Sequence, residues 1–178
     1  ALGAEAVLTP SHEGTDGAIR MAHKMVEENP DEYYMPNQFA NPNNWLSHYE
    51  STAPEIWTQT GGEVDAFVAG MGTSGTLMGT GRRLKNLNPF IEVTAVEPAD
   101  ELAIIEGLKH METSIVPGIY DSNFADRKMP VYPNDAHEMA RRLARAVLQA
   151  KPDNEHARFL LDQAARARRR QCRRTHLR

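Results

Sequence analysis

The sequence predicts an α/β fold, a mostly parallel sheet with helices on both faces, and three observations predict it. Val64 to Ala69 is a β-branched and aromatic run, and Ile91 to Val96 is a second. Between them Gly70-Met71-Gly72-Thr73-Ser74-Gly75 makes a turn of small residues. From Thr76 to Leu87 the apolar residues then fall at helical spacing. A strand, a helix and a strand in direct succession imply a crossover connection, which belongs to a parallel sheet covered by helices.

In chain order, Glu5 to Leu8 reads as a short strand that starts in mid-fold, with no initiator Met before it, so a missing N-terminal part is expected. After His12-Glu13-Gly14, Thr15 or Asp16 caps a helix with Ala18, Ile19, Ala22, Met25 and Val26 on one face. Asn29-Pro30 ends it. Tyr33 to Phe39 is the next expected strand. Asn41-Pro42 reads as the N-cap and first residue of a helical segment. Trp45, Leu46, Tyr49, Ile56 and Trp57 supply its apolar face, Pro54 divides it in two, and Gly61-Gly62 closes it.

Val64 to Ala69 is expected to be buried on both faces. In the helix that follows, Gly79 and Gly81 would each cost about 1 kcal/mol relative to alanine. Close approach to the sheet is the assigned compensation, with Leu77, Leu84 and Leu87 left to pack. Pro89 stops this helix, and Ile91 to Val96 runs into Glu97-Pro98. Residues 99 to 128 read as irregular, and Met129 to Tyr132 as a short strand. Asn134 caps a helix with Ala136, Met139, Ala140, Leu143 and Val147 on one side, and Lys151-Pro152-Asp153 breaks it. A last segment carries Phe159, Leu160, Ala164 and Ala167. No internal repeat is visible.

A chain of 178 residues with 40% hydrophobic content suits one domain, or one domain with an appendage. The single cysteine, Cys172, excludes an internal disulfide framework. No apolar run approaches the roughly 20 residues of a membrane span, so a cytoplasmic protein is expected. Charge divides the chain: residues 1 to 145 hold 11 basic and 21 acidic side chains, while residues 146 to 178 hold 9 and 3. The second part reads as a basic helical or disordered tail. Its Arg166 to Arg174 run has no interleaved aromatics to stack on bases, so it is read as a solvated tail rather than a nucleic-acid contact.

The loop carries the chemistry. The first N–H groups of a helix lack internal partners and the helix dipole is positive there, so a strand–glycine loop–helix junction can hold a phosphate. The loop satisfies G-x-G-x-x-G, and Glu97 ends the next strand, as in a dinucleotide-binding unit. A purely structural tight turn is the other reading of the bare pattern. Against a dinucleotide, the loop stands well inside the chain, and its hydroxyls at Thr73, Ser74 and Thr76 suit a terminal phosphate better than a bridging pyrophosphate. The seven histidines show no H-E-x-x-H spacing and no paired cysteines accompany them, so zinc is not expected. His48 and His137 read as solvated or capping residues, and Glu55, Glu63 and Asp65 as helix-end and turn residues.

VDAFVAGMGTSGTLMGTGRRLKNLNP followed by VTAVEP resembles the large-domain core of the cysteine synthase (O-acetylserine sulfhydrylase) family, pyridoxal-phosphate (PLP) enzymes with the tryptophan-synthase β-subunit fold. GAEAVLT, NQFANPNNWLSHYESTAPEIW, SIVPGIYD and DAHEMARRLAR continue the resemblance in order over residues 1 to 145. The resemblance implies that Gly72, Thr73, Ser74, Gly75 and Thr76 hold the PLP phosphate, and Ser74 departs from the family's usual glycine. It implies that Gln38 helps bind the substrate carboxylate and that Gly118 lies in the segment approaching the cofactor ring. It further implies O-acetylserine and sulfide as substrates and a homodimeric full-length parent.

Two family features are absent from the sequence. None of Lys24, Lys85, Lys109, Lys128 or Lys151 sits in the family's Asn-Pro…Ser-x-Lys context, so no catalytic Schiff-base lysine is assigned. The Ser-Ser-Gly loop expected after Arg145 is replaced by AVLQAKPDNEHARFLLDQAARARRRQCRRTHLR, and a shifted reading frame or fusion is the expected cause. The chain is therefore expected to be an inactive portion of such an enzyme. Alternatives are a sister PLP enzyme of the cystathionine β-synthase or serine/threonine dehydratase type, a noncatalytic binding module, and an NAD-binding unit.

Overall fold

A computed structural model describes residues 3–161. The described residues form two compact units, the first of residues 3–97 and 107–129 and the second of residues 98–106 and 130–161. The expectations for Cys172, for Ala164 and Ala167, and for the Arg166 to Arg174 run lie outside the described residues.

In the first unit, α1 spans Gly14–Glu28 and ends at Asn29. Ile19, Ala22, Met25 and Val26 are half-buried, as the spacing predicts, while Ala18, expected on the same face, is exposed. Neither Thr15 nor Asp16 caps it; the N-cap is Glu13, without a side-chain bond, and Asp16 serves elsewhere. The expected strands at Glu5 to Leu8 and Tyr33 to Phe39 do not form. Leu8 is 91% exposed, and a strand needs a neighbour to satisfy its backbone. At the second, Asn37 takes a left-handed φ of 48° and its carbonyl accepts the N–H groups of Ala40 and Asn41, which turns the chain instead of extending it.

Helix α2 spans Asn43–Ser47 with Pro42 rather than Asn41 at its N-cap, one residue later than the sequence reading, and the Asn41 carboxamide oxygen accepts the Asn43 N–H at 3.0 Å. Pro54 does not divide the segment. The chain passes through one wide π turn, His48–Thr52, into α3, Ala53–Gln59. In that turn the Ala53 N–H bonds to the His48 carbonyl. Proline cannot donate to the residue four back, and a turn of i→i+5 bonding absorbs the missing donor without breaking the helix. Gly61 and Gly62, at φ 64° and 80°, close α3 through Gly62 N–H to Trp57 O.

Strand β1, Ala66–Gly70, and β2, Glu92–Pro98, pair in parallel, with Phe67 opposite Val93 and Ala69 opposite Ala95. The third strand of the sheet, β3 at Arg127–Val131, continues the order β1-β2-β3. Between β1 and β2 runs α4, Gly75–Leu87, whose C-cap Asn88 is held extended by the following Pro89. Leu77, Met78, Val93, Ala95, Met71 and Met111 make one buried cluster, and Leu84, Ala53 and Ile91 a second. Burying each leucine or methionine side chain contributes about 2–3 kcal/mol. β1 is not buried on both faces: Ala66 is exposed and Val68 is 59% exposed, because α4 covers only the Phe67 and Ala69 side. Leu87 is exposed as well.

Of the two helix glycines, Gly81 does approach the sheet, where a Cβ would lie 2.8 Å from the Phe124 ring and 3.3 Å from Val93. Gly79 instead faces α2. A Cβ there would run into the Trp45 carbonyl oxygen and lie 2.8 Å from the His48 Cβ. Gly79→Ala is therefore expected to destabilise the fold by about 2 kcal/mol, overriding its gain in helix propensity. A urea denaturation midpoint at or above that of the unsubstituted chain would contradict the packing.

In the second unit, the Asp100 carboxylate accepts the N–H groups of Leu102 and Ala103. Helix α5 spans Pro133–Ala150, running unbroken across position 145. Its N-cap is Tyr132 with Pro133 at its start, so Asn134 lies inside it. Ala144 is its buried residue; of the five residues that the spacing set on one side, Ala136 and Ala140 are half-buried, whereas Met139, Leu143 and Val147 are exposed. Asn154 then caps a helical stretch at 155–161 by accepting the Ala157 N–H at 2.8 Å. Among the described residues, no helix is long and apolar enough to cross a membrane.

Candidate functional site

The glycine loop is held on both sides before it reaches α4. Met71, fully buried, donates its N–H to Val96 O at 2.9 Å and accepts the Lys109 N–H at 2.8 Å. Gly72 then lies so close to the Gly107 carbonyl oxygen that a Cβ could not be placed between them. Gly75 has the same relation to the Asn44 carboxamide.

Ser74 occupies the N-cap position of α4 at φ 69°, ψ 0°, a left-handed conformation that carries a cost for any residue with a Cβ. The residue is 2% exposed, and its Oγ has no hydrogen-bond partner among the described residues. The Ser74 side chain makes no capping bond to this helix. An unsatisfied hydroxyl and the positive end of a helix thus meet at one point, on a backbone held in a strained conformation. An anion that accepts hydrogen bonds satisfies both, and a phosphate fits that requirement.

The hydroxyls on either side are engaged. Thr73 Oγ1 accepts the Asn44 Nδ2–H at 3.1 Å and the Gly75 N–H at 3.3 Å. Thr76 Oγ1 lies 3.3 Å from His48 Nε2, and His48 Nδ1 lies 2.9 Å from Thr52 Oγ1. His48 stands in the π turn, so that irregularity places an imidazole beside the last hydroxyl of the loop.

Gln38 is exposed, but its carbonyl accepts the Asn44 Nδ2–H at 2.7 Å. Gly118 packs on the same segment: a Cβ there would lie 3.5 Å from Ala40 Cβ, and the next residue, Ile119, donates its N–H to Phe39 O. The loop, the Gln38 segment and the Gly118 segment are therefore contiguous. Asn44 and Gly107 are site residues that the sequence did not single out, and His48, read there as a solvated or capping residue, instead lies between Thr76 and Thr52. For Asn44 the only local sign is an asparagine pair after Asn41-Pro42, which reads equally well as helix capping.

Glu97, read as the candidate ribose acid of a dinucleotide site, accepts the Met111 N–H at 3.1 Å and so serves the loop that follows β2. Two lysines are tied by carboxylates: Lys85 to Asp126 at 2.7 Å and Lys109 to Asp16 at 2.7 Å. Lys24 lies 3.7 Å from Glu28 on exposed α1. The Lys85 hydrogen bond, with the Val93 N–H, holds the Asp126 carboxyl below its ordinary value.

A parallel α/β core presenting a strand–glycine loop–helix junction to an anion defines a class of phosphate-holding enzymes, and the chain belongs to the pyridoxal-phosphate dependent enzyme family, which matches residues 1–154. Within that family the proteins it is similar to include cysteine synthases. The cysteine synthase of Aquifex aeolicus is 52% identical over 145 residues, covering 82% of this chain and 44% of that protein. The crystal structure of a cysteine synthase from Entamoeba histolytica superimposes with a TM-score of 0.67 at 38% identity, covering 83% of this chain and 44% of that one. An O-ureido-L-serine synthase gives 0.69 at 36% identity, over 80% and 46%. The chain thus spans about half the length of the relatives it matches.

Proposed function

We propose that this chain forms the PLP-phosphate-binding portion of a cysteine synthase, with Gly72, Thr73, Ser74, Gly75 and Thr76 around the phosphate. Gln38 faces the substrate carboxylate and Gly118 the cofactor ring. The observation that carries the reading is the buried, unpartnered Ser74 hydroxyl in a strained N-cap at the head of α4. PLP supplies an electron sink when bound, and the chain's own residues orient it and donate hydrogen bonds to its phosphate. The full enzyme's substrates are O-acetylserine and sulfide, its working form is a homodimer, and its compartment is the cytoplasm. The likeness to an O-ureido-L-serine synthase favours a second reading within the same chemistry, in which a different nucleophile replaces the leaving group on the serine side chain.

The chain is expected to bind PLP at least about tenfold more tightly than pyridoxal, which lacks the phosphate. Equal affinities in a fluorescence titration would remove the cradle from the account. Borohydride treatment of the PLP-loaded chain is expected to leave none of Lys24, Lys85, Lys109, Lys128 and Lys151 carrying a pyridoxyl group in peptide mass spectra. One lysine labelled stoichiometrically, with turnover of O-acetylserine, would show that the chain carries its own catalytic amine.

A further inference from the structure

The side chain of Asn44 has an unusual pair of obligations. A carboxamide nitrogen carries two N–H donors. In Asn44 one goes to the Gln38 carbonyl at 2.7 Å and the other to the Thr73 hydroxyl oxygen at 3.1 Å. One planar group therefore spans the two segments that the PLP reading assigns to substrate and to phosphate, and its oxygen occupies the space that a Cβ on Gly75 would take. The first contact is local, six residues back, but the second is not, since Thr73 stands 29 residues further along the chain.

The consequence for Thr73 follows from counting. A hydroxyl offers one O–H donor and two acceptor lone pairs. Both acceptor positions of Thr73 Oγ1 are filled, one by Asn44 Nδ2–H and the other by Gly75 N–H. Only the O–H remains, so in this arrangement the hydroxyl can act solely as a donor. Such a hydroxyl accommodates an oxyanion and gains nothing from a donor ligand, and an anionic acceptor makes the hydrogen bond stronger than a neutral one does.

We propose that Asn44 is a positioning residue of the cradle: it fixes the Thr73 hydroxyl as a donor to the bound phosphate and ties that hydroxyl to the Gln38 backbone, so that filling the cradle orders the Gln38 segment. The proposal rests on the PLP reading. It adds a direction of coupling, from the phosphate end of the site to the substrate end, through a residue that touches neither ligand. Gln38 sits in a turn closed by the bonds of Ala40 and Asn41 to Asn37, with Asn37 in a left-handed conformation. To those bonds the Asn44 carboxamide adds one to the Gln38 carbonyl from the side of the glycine loop.

The test is hydrogen exchange on the full chain with and without PLP, read at the backbone amides of residues 37–41, alongside a PLP titration. In the unsubstituted chain, saturation with PLP is expected to slow exchange across 37–41 by about tenfold or more. In Asn44→Ala the PLP affinity is expected to fall by about tenfold. At saturating PLP that variant is expected to show no added protection at 37–41, while the amides at the start of α4 are still protected. Asn44→Asp keeps the shape and deletes both donors. It is expected to behave in the same way, and it serves as the readout where the alanine variant does not fold.

Equal protection at 37–41 in both variants would overturn the proposal, as would an unsubstituted chain that binds PLP without slowing those amides. An unsubstituted chain that does not bind PLP at all would overturn the phosphate reading itself, and this inference with it. The two failures are therefore distinguishable.

Discussion

Gly72→Ala is expected to lower the affinity for PLP by about 100-fold or more and to cost about 2–3 kcal/mol of fold stability. The added methyl group meets the carbonyl oxygen of Gly107, which is backbone and cannot rotate aside. Both partners of that contact are anchored. Met71, immediately before Gly72, is bonded to Val96 through its N–H and to Lys109 through its carbonyl. Relief requires either that residues 107–109 withdraw, breaking the Lys109 N–H bond to Met71, or that Gly72 swings out and the cradle opens. Gly75→Ala provides the contrast. Its methyl group meets the end of the Asn44 side chain, which can rotate, so fold stability is expected to suffer less while the Asn44 bridge is lost. Parallel PLP titrations and urea denaturations of the two variants check both claims. A Gly72→Ala protein that binds PLP like the parent would show that the close approach does not shape the cradle.

The parts of this fold that could be read from the sequence are those whose causes are local. The run from β1 through the glycine loop and α4 into β2 is delimited by residues that act on their own neighbours: small residues in the loop, Pro89 after the helix, and apolar runs on either side. Tyr33 to Phe39 has strand composition but no strand, because a strand depends on a pairing partner and the left-handed Asn37 turns the chain. Pro54 was legible as a lost donor; that a π turn would absorb the loss was not. The spacing placed Ala136, Met139, Ala140, Leu143 and Val147 on one side of a helix; the two alanines are half-buried and the three larger residues exposed, because amphipathicity states which face can be buried, not what covers it. In the site, the loop itself was legible and its supports were not. Asn44, His48 and Lys109 reach partners 29, 28 and 93 residues away, and no local pattern marks such contacts. Glu97 shows the converse, a residue with the right type and position for a nucleotide ribose whose carboxylate instead accepts the Met111 N–H.

Asp16→Ala is expected to be the most damaging substitution outside the loop. The Lys109 side chain is 7% exposed, and its ammonium is held by Asp16 at 2.7 Å, by the Ile115 carbonyl at 3.0 Å, and over the Phe39 ring at 4.9 Å from its centroid. The second carboxylate oxygen of Asp16 accepts the Ile115 N–H at 2.6 Å. This cluster fastens the first turn of α1 to the segment that also supplies Gly107 and the Lys109 N–H beneath the glycine loop. Removing the carboxylate leaves a buried cation with no counter-charge, at a cost of about 3 kcal/mol, toward the low end for buried pairs because Asp16 keeps some solvent contact. Lys109→Met is expected to cost less, since it removes the buried charge along with the pair. Burial works to raise the Asp16 carboxyl, but the hydrogen bonds from Lys109 and from the Ile115 N–H outweigh it and hold the group below its ordinary value. A carboxylate depressed in the folded state contributes stability that is full above its unfolded value, about 3.9. That contribution disappears as pH falls through the lower folded value. Below about pH 4 the parent is therefore expected to lose stability more steeply than Asp16→Asn, in which nothing titrates at that position. Urea midpoints measured from pH 7 to pH 2.5 decide the matter: parallel curves for the two proteins would mean that the Asp16 carboxylate does not hold this cluster.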